Sequence, residues 1–312
     1  MDRILLTGST GFIGSNLARH WNRNHELWHI LRKSSLTNDR LADIALKNVI
    51  FWEDLVAGKL KISAIPSFSA CYHFAVAGNA YKKQDMDELI DGNITRLIKL
   101  MDFCKVVGVG KFVHMSSWSE YGSHGDKMLT EELPLRPDYL YGASKAAGYI
   151  LARAYAREIG LPFSILRFFS LFGFYDKPTN LIPSMMKAIL LNLDIKLTPG
   201  EQVRDFLYMD DLLKLFDTIQ LRRDLPSKVY NVCSGRPVSV KQLAQKLLEV
   251  SDGNPTLFHW GAKPYRDNEA MYIVGDPTLL KMDTGWEAST DMETALFNTF
   301  KWYEMNPEWL EN

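Results

Sequence analysis

At 312 residues the chain lies near the size at which one hydrophobic core stops growing, so one large domain with a smaller lobe, or two domains, is expected. A hydrophobic share of 46%, a charged share of 23% and a net charge of -1 are those of an ordinary soluble protein, and they exclude a polybasic nucleic-acid binder. Met1-Asp2-Arg3 runs straight into a strand-like triplet without a charged-then-apolar leader, and no apolar run is long enough to span a bilayer, which points to a cytoplasmic protein with no membrane partner.

Residues 3 to 7 read as a buried strand, and Gly8-Ser-Thr-Gly11-Phe12-Ile13-Gly14 follows at once and opens a helix running through Trp21. Strand, glycine turn and helix in that order form a pyrophosphate cradle: one glycine turns the chain, one admits the phosphates to the backbone, and one packs helix on strand. The second strand, Glu26 to Leu31, ends without the acidic residue that would hold a ribose 2′-hydroxyl. Arg32-Lys33-Ser34-Ser35 stands there instead and suits a 2′-phosphate, so NADP(H) is expected in preference to NAD(H). Val49 to Phe51 reads as a third strand, closed by Glu53-Asp54-Leu55, where Asp54 either holds an adenine amino group or caps a helix. Cys71 to Ala75 is a fourth strand leading into small residues (Ala75, Ala77, Gly78) that let a cofactor lie close to the backbone, with His73 packed rather than catalytic.

A continuous amphipathic helix is expected from 85 to 107, ending at Gly108 and Gly110, and then a fifth strand from Lys111 to Met115. This strand leads into the polar loop Ser116-Ser117-Trp118-Ser119-Glu120-Tyr121-Gly122 at the sheet edge where open α/β folds bind ligands. A helix from about Tyr141 to Ile159, stopped by Gly160, and a sixth strand from Phe163 complete an alternating pattern that implies a doubly wound parallel sheet of Rossmann type. Beyond Gly173 the elements become shorter and mixed. A helix starts at Asn180-Leu181, strands cover 195–197 and 229–232, helices cover 238–250 and 290–304, and Asp210-Asp211 are placed to cap another helix. The expected division is a dinucleotide-binding domain, 1–173, and a smaller mixed α/β substrate lobe, 174–312, partly interleaved with the first. Cys71, Cys104 and Cys233 have no metal-ligand spacing and read as buried free thiols; no metal is expected.

Tyr141-Gly-Ala-Ser-Lys145 places a phenol and an ammonium on one helix face. Free tyrosine titrates near about 10, so acid–base work at neutral pH needs roughly 4 kcal/mol of phenolate stabilisation, much of which a neighbouring ammonium can supply.

Together with Asn93, Arg167-Phe-Phe, Arg204-Asp205-Phe206 and Asp210-Asp211, these motifs make nearly the whole chain resemble the extended short-chain dehydrogenase/reductases, the NAD(P)-dependent sugar-nucleotide epimerase, dehydratase and reductase group. The cationic Arg32 region and Gly200-Glu-Gln-Val-Arg204 are most similar to NADPH-using 4-ketoreductases such as CDP-abequose and CDP-paratose synthases. The resemblance implies that Ser117 hydrogen-bonds the reacting sugar oxygen, Tyr141 exchanges its proton, and Lys145 binds the nicotinamide ribose. It implies cofactor contacts at Gly8, Gly11, Phe12, Ile13, Gly14, Arg32, Ser34, Asp54, Leu55 and Ala75, and substrate contacts at Trp118, Ser119, Asn180, Leu181 and Arg204, the last clamping a diphosphate unless it pairs with Asp205 or Asp210. In the group's dehydratases an Asp and a Glu follow the catalytic hydroxyl; Trp118 and Ser119 stand there instead, which argues against 4,6-dehydration. Ser170 occupies a position that is often asparagine. The resulting expectation is an NADPH-dependent reductase passing the pro-S hydride to the C4 ketone of a nucleotide-linked deoxyhexose. A C4 epimerase and a non-catalytic dinucleotide sensor are the alternatives, and a homodimer through the helices at 85–107 and 141–159 is expected.

Overall fold

Ile4-Leu5-Leu6 and all of Phe163–Phe168, Ser164 and Arg167 included, are buried along their length, the pattern of strands covered on both faces. The computed structural model describes residues 1–36, 38–44, 46–78, 85–222 and 225–310. In chain order these form β1 (Arg3–Thr7), α1 (Phe12–Trp21), β2 (Glu26–Leu31), β3 (Asn48–Phe51), α2 (Trp52–Val56), β4 (Ala70–His73), α3 (Met86–Ile90), α4 (Arg96–Val106), β5 (Phe112–Ser117), α5 (Leu140–Ile159), β6 (Phe163–Phe168) and β7 (Ser170–Phe172). The remainder comprises α6 (Leu181–Leu190), β8 (Ile195–Lys196), β9 (Val203–Tyr208), α7 (Met209–Leu221), β10 (Val229–Val232), β11 (Pro237–Ser239), α8 (Val240–Ser251), β12 (Phe258–His259), β13 (Tyr272–Ile273), α9 (Thr278–Thr284) and α10 (Met292–Met305).

One compact unit contains Met1–Gly122, Glu131–Phe168 and Asp217–Asn231. Its sheet runs β3-β2-β1-β4-β5-β6-β10, with β1 to β6 paired in parallel. This is the Rossmann order, and it reverses direction between β1 and β4. Parallel strands end along one edge, so the residues following β1, β4 and β5 all emerge there. Leu5, Ile30, Leu97, Met101, Phe112, Tyr149 and Ile165 belong to the core, and the thiols of Cys71 and Cys104 are buried and free.

The continuous helix expected from 85 to 107 is instead α3 and α4 joined by a π-helical turn, Asp91–Thr95. The wider turn carries two close contacts with the segment after β4. The Asn93 carboxamide accepts from Ala77 N at 2.9 Å and donates to Ala77 O at 3.0 Å, and Gly92 lies so near Ala77 that a side chain there would overlap its Cβ. Inserted turns of this kind recur at functional positions.

The second unit contains Ser123–Thr130, Phe169–Phe216 and Val232–Asn312. In it β9 pairs with β7, β11 and β13 and, with α6, α8 and α10, encloses a core that includes Phe172, Met186, Phe206, Leu247 and Phe300. Cys233 is a buried free thiol here. Asp210 and Asp211 do not cap a helix, because α7 already begins at Met209; both lie in its first turn. The buried Asp211 carboxylate accepts from Thr290 N at 2.9 Å and Thr290 Oγ1 at 2.8 Å, tying α7 to the segment before α10.

Candidate active site

At the reversal between β1 and β4 a groove of about 310 Å³ opens, walled by Thr7, Gly8 and Gly11 on one side and by His73, Phe74 and Ala75 on the other. Gly8 has φ +74°, and a Cβ there would lie 2.5 Å from Ala75 N, so both conformation and space demand glycine. Gly14 likewise packs α1 against the Gly8 backbone. The amides of Phe12, Ile13 and Gly14 belong to the first turn of α1, whose donors have no intrahelical acceptor. A tight turn, backbone donors at a helix N-terminus and a wall of small residues fit the pyrophosphate of a nicotinamide dinucleotide.

Of the cationic stretch after β2, Arg32 and Ser35 line the groove. Arg32 is exposed, and among the described residues no carboxylate pairs with its guanidinium. Ser34, Asp54 and Leu55 lie outside the groove lining: the turn Lys33–Ser35 leaves Ser34 exposed, Lys33 Nζ holds Asp54 at 2.9 Å, and Leu55 packs on the core. Trp52 and Arg96 line the groove instead, the Arg96 guanidinium lying 5.7 Å from the Trp52 ring centre. Neither stood out in the sequence, because Trp52 reads as the end of a strand and Arg96 as the solvent side of a helix.

Ser117 is the last residue of β5, one position longer than the Ser116 end of the polar motif and two beyond the expected Met115. Its hydroxyl oxygen accepts from Ser119 N at 3.2 Å and from the buried Ser119 hydroxyl at 2.9 Å. Trp118 lies half-buried in the turn Trp118–Glu120. Tyr141 and Lys145 sit on the first two turns of α5, with Tyr141 half-buried and Lys145 2% exposed. Lys145 Nζ donates to Met115 O at 2.7 Å. Burial brings its pKa down to about 8, against an opposing pull from Glu120. Asn93 Nδ2 donates to Ser144 Oγ at 2.9 Å, and that hydroxyl donates to Tyr141 O at 2.8 Å, so one carboxamide joins the groove wall to the helix carrying Tyr141.

Beneath this edge Glu120 is fully buried, one carboxylate oxygen accepting from Ser116 Oγ and the other from Arg167 Nε at 2.6 Å. Arg167 also donates to Tyr121 Oη at 2.9 Å, and Tyr121 donates to Asn231 Oδ1 at 2.7 Å. The guanidinium stands over the rings of Tyr121 and Tyr149, at 4.6 and 5.0 Å. His73 bonds Thr7 Oγ1 at 2.6 Å and stacks on His114 at 5.3 Å between ring centres. Burial holds both imidazoles neutral, His73 down to about 3.

Within the second unit Asn180 precedes α6 as its N-cap and donates from Nδ2 to Asp176 at 2.7 Å, with Leu181 as the first helical residue. Arg204 is 7% exposed and pairs with Glu269, not with Asp205 or Asp210. Asp205 is otherwise engaged: its buried carboxylate accepts from Ser234 N, Ser234 Oγ and Gly235 N at 2.7 to 2.8 Å.

The family model for the NAD dependent epimerase/dehydratase family matches residues 4–233, from β1 through the strand that completes the sheet. The chain belongs to this family. It is 30% identical over 334 residues to the trifunctional UDP-glucose 4,6-dehydratase/UDP-4-keto-6-deoxy-D-glucose 3,5-epimerase/UDP-4-keto-L-rhamnose-reductase of Arabidopsis thaliana, an alignment covering 98% of this chain and 48% of that protein. The chain thus spans about half the length of such plant relatives. Among solved structures, the dTDP-glucose 4,6-dehydratase of Streptomyces venezuelae with NAD and TYD bound is 25% identical, covers 99% of each chain and superposes with a TM-score of 0.83. The UDP-glucose 4-epimerase of Thermotoga maritima, 23% identical, shares the fold over 98% of this chain and 99% of its own, with a TM-score of 0.86. Among the described residues no helix is long and apolar enough to cross a membrane.

Proposed function

We infer that this family member is a nicotinamide-dinucleotide-dependent oxidoreductase acting on a nucleotide sugar, and that its reaction is reduction of a C4 ketone with NADPH. The observation that carries the reading is the strand end: the Ser117 hydroxyl stays in place while Trp118 and Ser119 replace the Asp and Glu used by the group's dehydratases. Neither an indole nor a serine hydroxyl is an acid or base strong enough to eliminate water at neutral pH. The Ser117 hydroxyl, already accepting from Ser119, is left to donate its own proton to a sugar oxygen. Bound NADPH supplies the hydride. Tyr141 delivers the proton that turns the resulting alkoxide into an alcohol, and the Lys145 ammonium one turn away favours the phenolate left behind. Arg32 and Ser35 in the groove, with no acidic residue at the end of β2, support NADPH over NADH. Arg204, held ready by Glu269, suits a diphosphate.

A C4 epimerase uses the same Ser117, Tyr141 and Lys145 set and remains the second reading. The discriminating experiment mixes the protein with NADPH and a panel of CDP-, dTDP-, GDP- and UDP-linked 4-keto sugars and follows NADPH absorbance. Stoichiometric NADPH consumption supports the reductase. Turnover without added cofactor, from protein that purifies with bound NAD, selects the epimerase.

A further inference from the structure

We propose that Glu120 is a positioning residue for the Ser117–Lys145 pair: through Ser116 it anchors the strand end carrying Ser117, and it supplies the buried counter-charge that keeps Lys145 an ammonium. The inference rests on the oxidoreductase reading above, but its central test does not require substrate.

Four hydrogen bonds converge on five residues of β5 and its turn. Lys145 Nζ donates to Met115 O, Ser116 Oγ donates to Glu120, and Ser117 Oγ takes the Ser119 amide and hydroxyl. The ammonium is therefore fixed to Met115 and the reacting hydroxyl belongs to Ser117, two positions along the same strand, and Glu120 clamps Ser116 between them. Arg167 and Ser116 engage both carboxylate oxygens of Glu120, which leaves the side chain a single orientation.

The charges around Lys145 single out Glu120. His73 on β4 and His114 on β5 are neutral through the range in which the lysine titrates. Arg167 on β6 is directed at Glu120 and Tyr121, and on α5 itself the neighbouring titratable groups are the phenols of Tyr141 and Tyr149. Among the described residues Glu120 is then the carboxylate opposing desolvation of the ammonium, whose midpoint would fall further without it.

Glu120→Gln keeps an acceptor for Ser116 and removes the charge. The isotope-labelled Lys145 Cε resonance, assigned by its loss in Lys145→Arg, is titrated in both proteins. The expected result is a midpoint near 8 in the parent and a midpoint lower by about one pH unit in Glu120→Gln. Equal midpoints in the two folded proteins would overturn the proposal. Because the single variant leaves Arg167 unpaired, Glu120→Gln/Arg167→Met is titrated as well, and its midpoint must move the same way; a midpoint at or above the parent's refutes the counter-charge role. In turnover, the high-pH limb of kcat should shift down with the midpoint while the Kd for NADPH stays within about threefold. A parent that fails to consume NADPH with any 4-keto sugar, yet shows the lysine shift, removes the reductase reading and leaves this inference standing.

Discussion

Gly142 is the sharpest place to test the site geometry, because it faces the turn after Ser117 while lying between Tyr141 and Lys145. A Cβ on Gly142 would lie 2.9 Å from the Ser119 carbonyl carbon, closer still to its oxygen, and 3.2 Å from Pro137 Cβ. The obstruction is backbone, so rotating a side chain cannot relieve it. Gly142→Ala gains up to about 1 kcal/mol of helix propensity, less in a first turn, against about 1–3 kcal/mol for overpacking. The expected net loss is about 1 kcal/mol of unfolding free energy, measured from urea midpoints. The larger effect falls on rate. Restoring normal contact requires the N-terminus of α5 and the turn to separate by about 1 Å, and a misplacement of that size costs about 10²-fold in kcat. The Kd for NADPH, titrated by fluorescence, should change little, since Gly142 is not among the groove-lining residues. A Gly142→Ala enzyme that is more stable than the parent, or whose kcat stays within about threefold, would refute the packing argument and the placement of the reacting centre against this turn.

Tyr141→Phe should lower kcat by about 10² to 10⁴ with cofactor binding intact, and retained turnover would remove the tyrosine as proton donor. Arg32→Ala deletes a charge-assisted contact of about 1.5–3 kcal/mol, so the KM for NADPH should rise roughly 10- to 100-fold while that for NADH moves little; equal effects on both would free Arg32 of that role. His29, bonded to Ser9 Oγ at 2.8 Å, is held neutral by burial, its pKa lowered from 6.5 to about 4. Between these values the unfolded chain binds the extra proton, so stability falls as pH falls, by about 3 kcal/mol from this residue. In His29→Asn the dependence of unfolding free energy on pH over that window should lose about one proton's worth of slope, and an unchanged slope would assign the acid sensitivity elsewhere.

Most of the first unit was legible in the sequence because its signals are local. The buried strands are continuous apolar runs, the glycine turn sits between a strand and a helix, and α5 ends at Gly160 in a left-handed conformation, as its place after Ile159 foretells. The second unit was harder to read. β12 and β13 have two residues each and no periodicity to detect, and α9 has seven residues. Polar partners were the least legible feature of all. Nothing around Arg204 indicates Glu269, 65 positions away, as its partner, and nothing around Lys33 shows that its ammonium turns to Asp54. The π turn at Asp91–Thr95 was invisible for a related reason: the apolar spacing continues through it, and only the meeting of Gly92 and Asn93 with Ala77 requires it.

The same contrast explains why Glu120 escaped notice beside the Ser117 motif. A glutamate in a polar loop reads as solvated, yet the fold buries it completely with Arg167 and Ser116 as partners. Burying a carboxylate and a guanidinium together rarely stabilises a fold more than apolar residues of the same volume, so such a pair calls for another reason to exist. The reason the geometry offers is Lys145. An ammonium 2% exposed, donating to the Met115 carbonyl and flanked by neutral imidazoles at His73 and His114, would shed its proton more readily without a carboxylate nearby. Burial pushes the Glu120 carboxyl up, and the Arg167 guanidinium is the strongest pull against that, favouring the ionised form. The two charges beneath β5 form a relay of constraints whose far end is the protonation state of the residue beside Tyr141. On this argument, removing Arg167 alone should harm the site through Glu120, by letting that carboxyl take up a proton, and should move the Lys145 midpoint in the same direction as Glu120→Gln.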